Sequence, residues 1–199
     1  DFYYVDKTKY IEDLEKTAAF LFLIRPRRFG KSLFLNMLNC YYDVKYADRF
    51  EELFGNQYIG KHPTAEQGKY LVLRFNFSMV RATDDKLEAA FNRHISLETA
   101  YFASVYASYF KPDFQEQLKL IPEAAGRLEY ICLCAKEQGL SIYLLIDEYD
   151  NFTNTILSSK GNDVYHSLTH DSGFYRSFFN VVKGVTTGAE APVKRMFIT

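Results

Sequence analysis

The stretch from Phe20 to Ser32 constrains this chain more than any other. An apolar run, Phe20 to Ile24, empties into Arg25-Pro26-Arg27-Arg28-Phe29-Gly30-Lys31-Ser32, and a helix-like pattern follows from Leu33. A strand, a short loop and Gly-Lys-Ser at the mouth of a helix make up most of a phosphate-binding loop. The first N–H groups of a helix have no partner inside it, and the helix dipole adds partial positive charge there. A polyphosphate is the natural ligand of such a surface. Lys31 is placed to reach its terminal phosphates and the Ser32 hydroxyl to ligate Mg²⁺. Arg27, Arg28, Phe29, Gly30, Lys31, Ser32 and Leu33 form the candidate binding set. The pattern departs at its first position, where Arg25 stands in place of glycine. Pro26 biases Arg25 toward an extended backbone, so a left-handed glycine is not needed there.

The remaining composition narrows the field. Hydrophobic residues make up 48% of 199 residues, ample for one domain with its own core. A formal net charge of −1 gives no overall pull toward nucleic acid or a membrane surface, so any basic site is local. Cys40, Cys132 and Cys134 form no even disulfide framework. Cys132 and Cys134 stand too close for a usual zinc pair, and no histidine is spaced to complete one. Buried, reduced thiols in a cytoplasmic protein are expected. No apolar run approaches the ~20 residues of a membrane span, and no signal peptide is expected. The chain opens without Met and stops at Thr199 just after an apolar strand, so it is expected to be a fragment of a longer protein.

Taken in order, the pattern predicts a short helix capped by Thr8, with Ile11 and Leu14 inward. The aromatic cluster Phe2, Tyr3 and Tyr4 upstream leaves two readings open: an arm packed on a sheet edge, or a wall that stacks on a purine base. Phe20 to Ile24 suits a parallel strand covered on both faces. Leu33 to Tyr42 is apolar almost all round and predicts a buried helix. A short helix is expected over Arg49 to Gly55, then a turn-rich connector from Tyr58 to Pro63. Tyr70 to Phe77 reads as a second strand. Asp84 to Phe110 reads as a long helix with Leu87, Phe91, Ile95, Phe102, Val105 and Tyr109 near one face. Ile121 to Gln138 follows as another, with Pro122 near its start and Gly139 past its end. Ser141 to Ile146 is a third strand. Asp171 to Gly184 contains a helix with Phe174, Phe178 and Val181 inward, and Val193 to Ile198 is a fourth strand. Gly161 to Asp163 and Gly184 to Pro192 are the expected mobile loops.

The third strand runs directly into Asp147 and Glu148. An apolar strand ending in Asp puts a carboxylate at the carboxyl edge of a parallel sheet, where ligands bind in open α/β folds. Asp147 is the candidate to hold Mg²⁺ opposite Ser32. Glu148 is the candidate to polarise a water that attacks the γ-phosphate. Three readings of Arg25, Arg27, Arg28 and Lys31 stay open: clamping phosphate oxygens, pairing with Asp147, Glu148 or Asp150, or lying on a solvated loop that touches nucleic acid. His166 and His170, four apart, form a weak candidate metal pair without the general-base Glu of zinc proteases.

Further stretches carry a resemblance: Tyr4-Val5-Asp6-Lys7-Thr8 with Tyr10-Ile11, the Arg25 to Leu33 loop, Leu53-Phe54-Gly55 with Tyr58-Ile59, and Ile146-Asp147-Glu148-Tyr149-Asp150. Together they resemble the AAA-ATPase-like family of prokaryotic proteins, whose members often carry a PD-(D/E)xK nuclease-like domain. The loop also resembles those of STAND-type ATPases. The resemblance implies an α/β fold, the P-loop NTPase three-layer sandwich with a mostly parallel sheet. It places the strand near residues 193–198 between the phosphate-loop strand and the Asp147 strand, with Thr199 opening a γ-phosphate-sensing tip and the C-terminal part missing. It implies that residues 1–199 are an ATPase module with Glu148 and Lys31 catalytic, a Mg²⁺-dependent switch for an attached C-terminal domain, which would supply any nucleic-acid contact. No Asn-Lys-x-Asp or Thr-Lys-x-Asp segment is present to read guanine, which favours ATP. The alternative is a sensor that binds nucleotide with little hydrolysis. Oligomerisation is left open.

Overall fold

Side chains along a strand alternate between the two faces of a sheet, so a strand that is apolar at every position must be covered on both. That requirement shapes the computed structural model of the chain, which describes residues 5–24, 26, 28–80, 87–149, 152, 154, 157 and 173–199. In chain order the regular elements are α1 (Tyr10–Thr17), β1 (Phe20–Phe22), α2 (Lys31–Tyr42), α3 (Phe50–Phe54), α4 (Tyr58–Lys61), β2 (Leu71–Asn76), α5 (Leu87–Val105), α6 (Phe114–Lys119), α7 (Ala124–Glu137), β3 (Ile142–Asp147), α8 (Phe174–Thr186) and β4 (Val193–Ile198). Short 3₁₀ turns at Val44–Arg49, Phe77–Met79 and Ala107–Tyr109 join them.

The strands lie in the order β1-β4-β3-β2, and every pairing is parallel. The strand at 193–198 thus sits between the other two site-bearing strands, as the resemblance implied. Period two then sorts the core. Leu71, Leu73 and Phe75 of β2 and Ile142, Leu144 and Ile146 of β3 face one side, against Phe91 and Ile95 of α5, Leu128 and Ile131 of α7 and Phe178 of α8. Val72, Tyr143, Leu145 and Phe197 face the other, against Leu35, Leu38, Tyr41 and Tyr42 of α2 and Ile11 of α1. Every residue of β3 is buried.

Several expectations need correction. β1 is three residues long and lies at the edge of the described sheet, with Phe20 and Phe22 exposed. It is not a strand covered on both faces: Leu21 packs against the core on the α2 side, while Phe20 and Phe22 on the other face stay exposed. The helix α2 is buried on one side only: Leu33 and Asn36 face outward. Tyr58–Lys61 is a helical turn rather than a connector. Thr8 does not cap α1 through its side chain. Instead its hydroxyl accepts the Ile59 N–H at 3.1 Å and donates to Asp6 at 2.7 Å, and Asp6 accepts the Tyr58 N–H at 2.8 Å. The segment before α1 is therefore tied to α4 and forms no strand among the described residues. The helix α5 ends at Val105 and leaves Tyr109 exposed on a 3₁₀ turn. The helix α7 begins at Ala124, beyond Pro122. Gly184 is inside α8, whose buried face is Tyr175, Phe178 and Val182. The Phe2 to Tyr4 cluster and Gly161 to Asp163 lie outside the described residues.

Candidate nucleotide site

Parallel pairing puts the carboxyl ends of the strands at one edge. Phe22 of β1 pairs with Ile198 of β4, and Ile198 pairs with Ile146 of β3. The chain leaving β1 and the carboxylate ending β3 therefore start level, two strand spacings or about 10 Å apart. One becomes the Arg25 to Ser32 loop and the other Asp147-Glu148.

On the β1 side, Gly30 is the residue before α2, with a left-handed backbone at φ 76°. Among the described residues, nothing beyond its chain neighbours lies within 4 Å of where its Cβ would stand, so the turn has room above the helix mouth. The Phe34 N–H bonds the Gly30 carbonyl at 3.0 Å, which closes the first helical turn and leaves the preceding N–H groups pointing off the helix end. Lys31, the first residue of α2, is buried, and Ser32, the second, is exposed. Phe29 and Leu33 are exposed on either side. Arg28 is left-handed at φ 68°. Pro26 had suggested that this loop needs no left-handed turn at its start; the turn is made at Arg28 and Gly30 instead. Arg25 and Arg27 lie outside the described residues.

On the β3 side, positions 143, 145 and 147 alternate onto the face that α2 covers, so Asp147 points toward that helix. It is fully buried. A buried carboxylate is costly unless it is paired and hydrogen-bonded, and it is both. The Thr199 hydroxyl donates to Asp147 Oδ1 at 2.9 Å. The Arg74 guanidinium on β2 lies 3.4 Å from Asp147 Oδ2. Its other arm donates to Asn36 Oδ1 on α2. Glu148 follows in a left-handed backbone, φ 58°, where a side chain crowds its own carbonyl. Tyr149 then returns its N–H to the Thr199 carbonyl at 2.9 Å and sets its ring edge-on to Phe22, centroids 5.3 Å apart.

Among the described residues, Arg28 and Glu148 are the non-glycine residues with positive φ. One lies on each side of the candidate site, and unfavourable backbone of this kind concentrates where function over-determines it. Sequence reasoning missed Arg74. A signal was present: a single cation within an apolar strand must find a carboxylate, and period two puts it on the face of Val72, toward α2. Asp150, His166 and His170 lie outside the described residues. No group of three or more His, Cys, Asp or Glu side chains is arranged to hold a metal among the described residues. No helix among them is long and apolar enough to cross a membrane.

Comparison with known proteins gives this geometry a family. The family described as predicted AAA-ATPase matches residues 1–199, so the chain belongs to the AAA-ATPase-like family. Over 38 residues it is 58% identical to an uncharacterized protein in the vnfD 5′ region of Azotobacter chroococcum mcd 1, a match spanning 19% of this chain and 7% of that protein. No solved structure matches the chain.

Proposed function

We propose that this member of the predicted AAA-ATPase family binds Mg²⁺·ATP between the α2 mouth and the end of β3, and hydrolyses it. The observation that carries the reading is the shared sheet edge. The Gly30-Lys31-Ser32 turn and the Asp147-Glu148 turn leave level strands with one strand between them. In this reading residues 1–199 form one ATPase module, a three-layer sandwich, that acts as a switch for an attached domain.

The donor set suits the metal. A carboxylate offers about four lone-pair directions, and Thr199 and Arg74 leave some of Asp147's free for Mg²⁺ or its water shell. Ser32 is an exposed residue at the helix mouth, which suits its hydroxyl to a ligand role. Bound Mg²⁺ would neutralise charge on the transferring phosphoryl group. Lys31 and the open N–H groups of Arg28 to Leu33 hold the phosphate oxygens, with Phe29 contributing backbone alone. Glu148 is left to orient and polarise the attacking water.

A second reading, a nucleotide sensor with little hydrolysis, is favoured by one observation: Arg74 already engages Asp147. Turnover separates the two. An ATPase loses turnover by about a hundredfold or more in Glu148→Gln while retaining nucleotide affinity. Equal, near-background rates in both proteins would assign the sensor role.

A further inference from the structure

Arg74 is a charged side chain that touches both sides of the site. It sits on β2 opposite Leu145, one alternate position before Asn76, which is level with Asp147. Its guanidinium reaches Asn36 on α2 with one nitrogen and Asp147 Oδ2 with the other, at 3.4 Å. Asp147 has no exposure of its own, whereas the Arg74 side chain is 31% exposed. Arg74 also lines a cavity of about 200 Å³ together with Glu98, Asp43, Lys45 and Tyr101. The cavity gives Arg74 room to move, and Glu98 offers it a second carboxylate on α5.

We infer that Arg74 is a positioning residue that competes with the divalent cation for Asp147, holding the carboxylate against helix α2 until the metal arrives and then turning toward Glu98. The inference rests on the proposed nucleotide site and deepens it. A guanidinium 3.4 Å from a carboxylate oxygen occupies a direction from which that oxygen would meet a cation or its water. Two cations cannot share that position without repulsion, so metal demand depends on how firmly Arg74 holds on. A purely structural counter-ion would behave differently: its loss would loosen the site and raise metal demand.

The test is the Mn²⁺ concentration that half-saturates the protein in the presence of a non-hydrolysable ATP analogue, read by electron paramagnetic resonance. Arg74→Gln is expected to lower that concentration by about fivefold or more. Arg74→Lys, which keeps the charge, stays near wild type. Glu98→Gln removes the second resting place and raises the concentration, the opposite sign. Thermal melts of each variant establish that it is folded, and Glu98→Gln, on a half-buried side chain away from the site, carries the test if Arg74→Gln does not fold. Unchanged or raised demand in a folded Arg74→Gln variant overturns the competition. Unchanged demand in Glu98→Gln overturns the second resting place. Wild-type protein that binds no Mn²⁺ with the analogue would instead overturn the nucleotide site itself.

Discussion

The two strands that feed the site could hardly be held more differently. β3 is buried at every position and ends on a carboxylate fixed from both sides by Thr199 and Arg74. β1 is a three-residue edge strand with Phe20 and Phe22 exposed, and the Ile24 side chain beyond it is 85% exposed. One side of the site is thus built into the core and the other hangs from its margin. Burial and these two partners fix the acid in advance of any ligand, whereas the strand that feeds the phosphate loop leaves Phe20 and Phe22 open to solvent.

The largest effect that tests this contrast is on stability. Leu145→Ala removes a fully buried side chain from β3 and is expected to cost about 2–5 kcal/mol. Ile24→Ala, at the exposed end of β1, is expected to change stability by less than about 0.5 kcal/mol. Denaturant unfolding of the two variants checks both values, and equal losses would erase the difference between the strands.

A smaller effect sharpens it. Glycine relieves a left-handed backbone at some cost in unfolded-chain entropy, so Glu148→Gly is expected to gain up to about 1 kcal/mol while abolishing turnover. A loss of stability, read from a melting curve, would mean that the Glu148 side chain holds the turn in place and is not merely strained by it.

The smallest effect lies outside both sides. Burial alone would raise the Asp6 carboxylate, but hydrogen bonds from the Tyr58 N–H and from the Thr8 hydroxyl and N–H outweigh it and hold it below its ordinary value of 3.8. A carboxylate lowered on folding stabilises fully above that ordinary value and loses the contribution as pH falls through the lowered one. Asp6→Asn should therefore flatten the fall in stability below about pH 4 and leave nucleotide affinity unchanged. Acid titration of both proteins by circular dichroism checks it, and parallel curves would show that the clamp contributes nothing.

Much of this was legible in the residues. Apolar-rich runs marked the four strands among the described residues, unbroken in Phe20–Phe22 and interrupted by Arg74 in one and by Lys194 and Arg195 in another, and the acids and the glycine-lysine-serine turn marked which strand ends mattered. What escaped were features that depend on neighbours. Whether Phe20 and Phe22 are covered depends on what packs over their face of the sheet, and an apolar run reads the same whether one face is covered or both. Arg74 showed as a charge in a strand, but its partner Asp147 is 73 residues away in the chain. The positive φ at Arg28 and Glu148 has no signature in those side chains, since arginine and glutamate carry no preference for it. The Thr8 hydroxyl suited a helix cap and went to a tertiary contact with Ile59 instead.

The central claim is that both turns grip a single metal–nucleotide complex, and calorimetric titration with ATP, with and without Mg²⁺, tests it most directly on wild type, Lys31→Ala and Asp147→Asn. Wild type should bind more tightly with Mg²⁺. Lys31→Ala should lose affinity in both conditions by about tenfold or more, and Asp147→Asn should lose only the Mg²⁺ enhancement. Undiminished affinity in Lys31→Ala, or a full Mg²⁺ enhancement in Asp147→Asn, would contradict it.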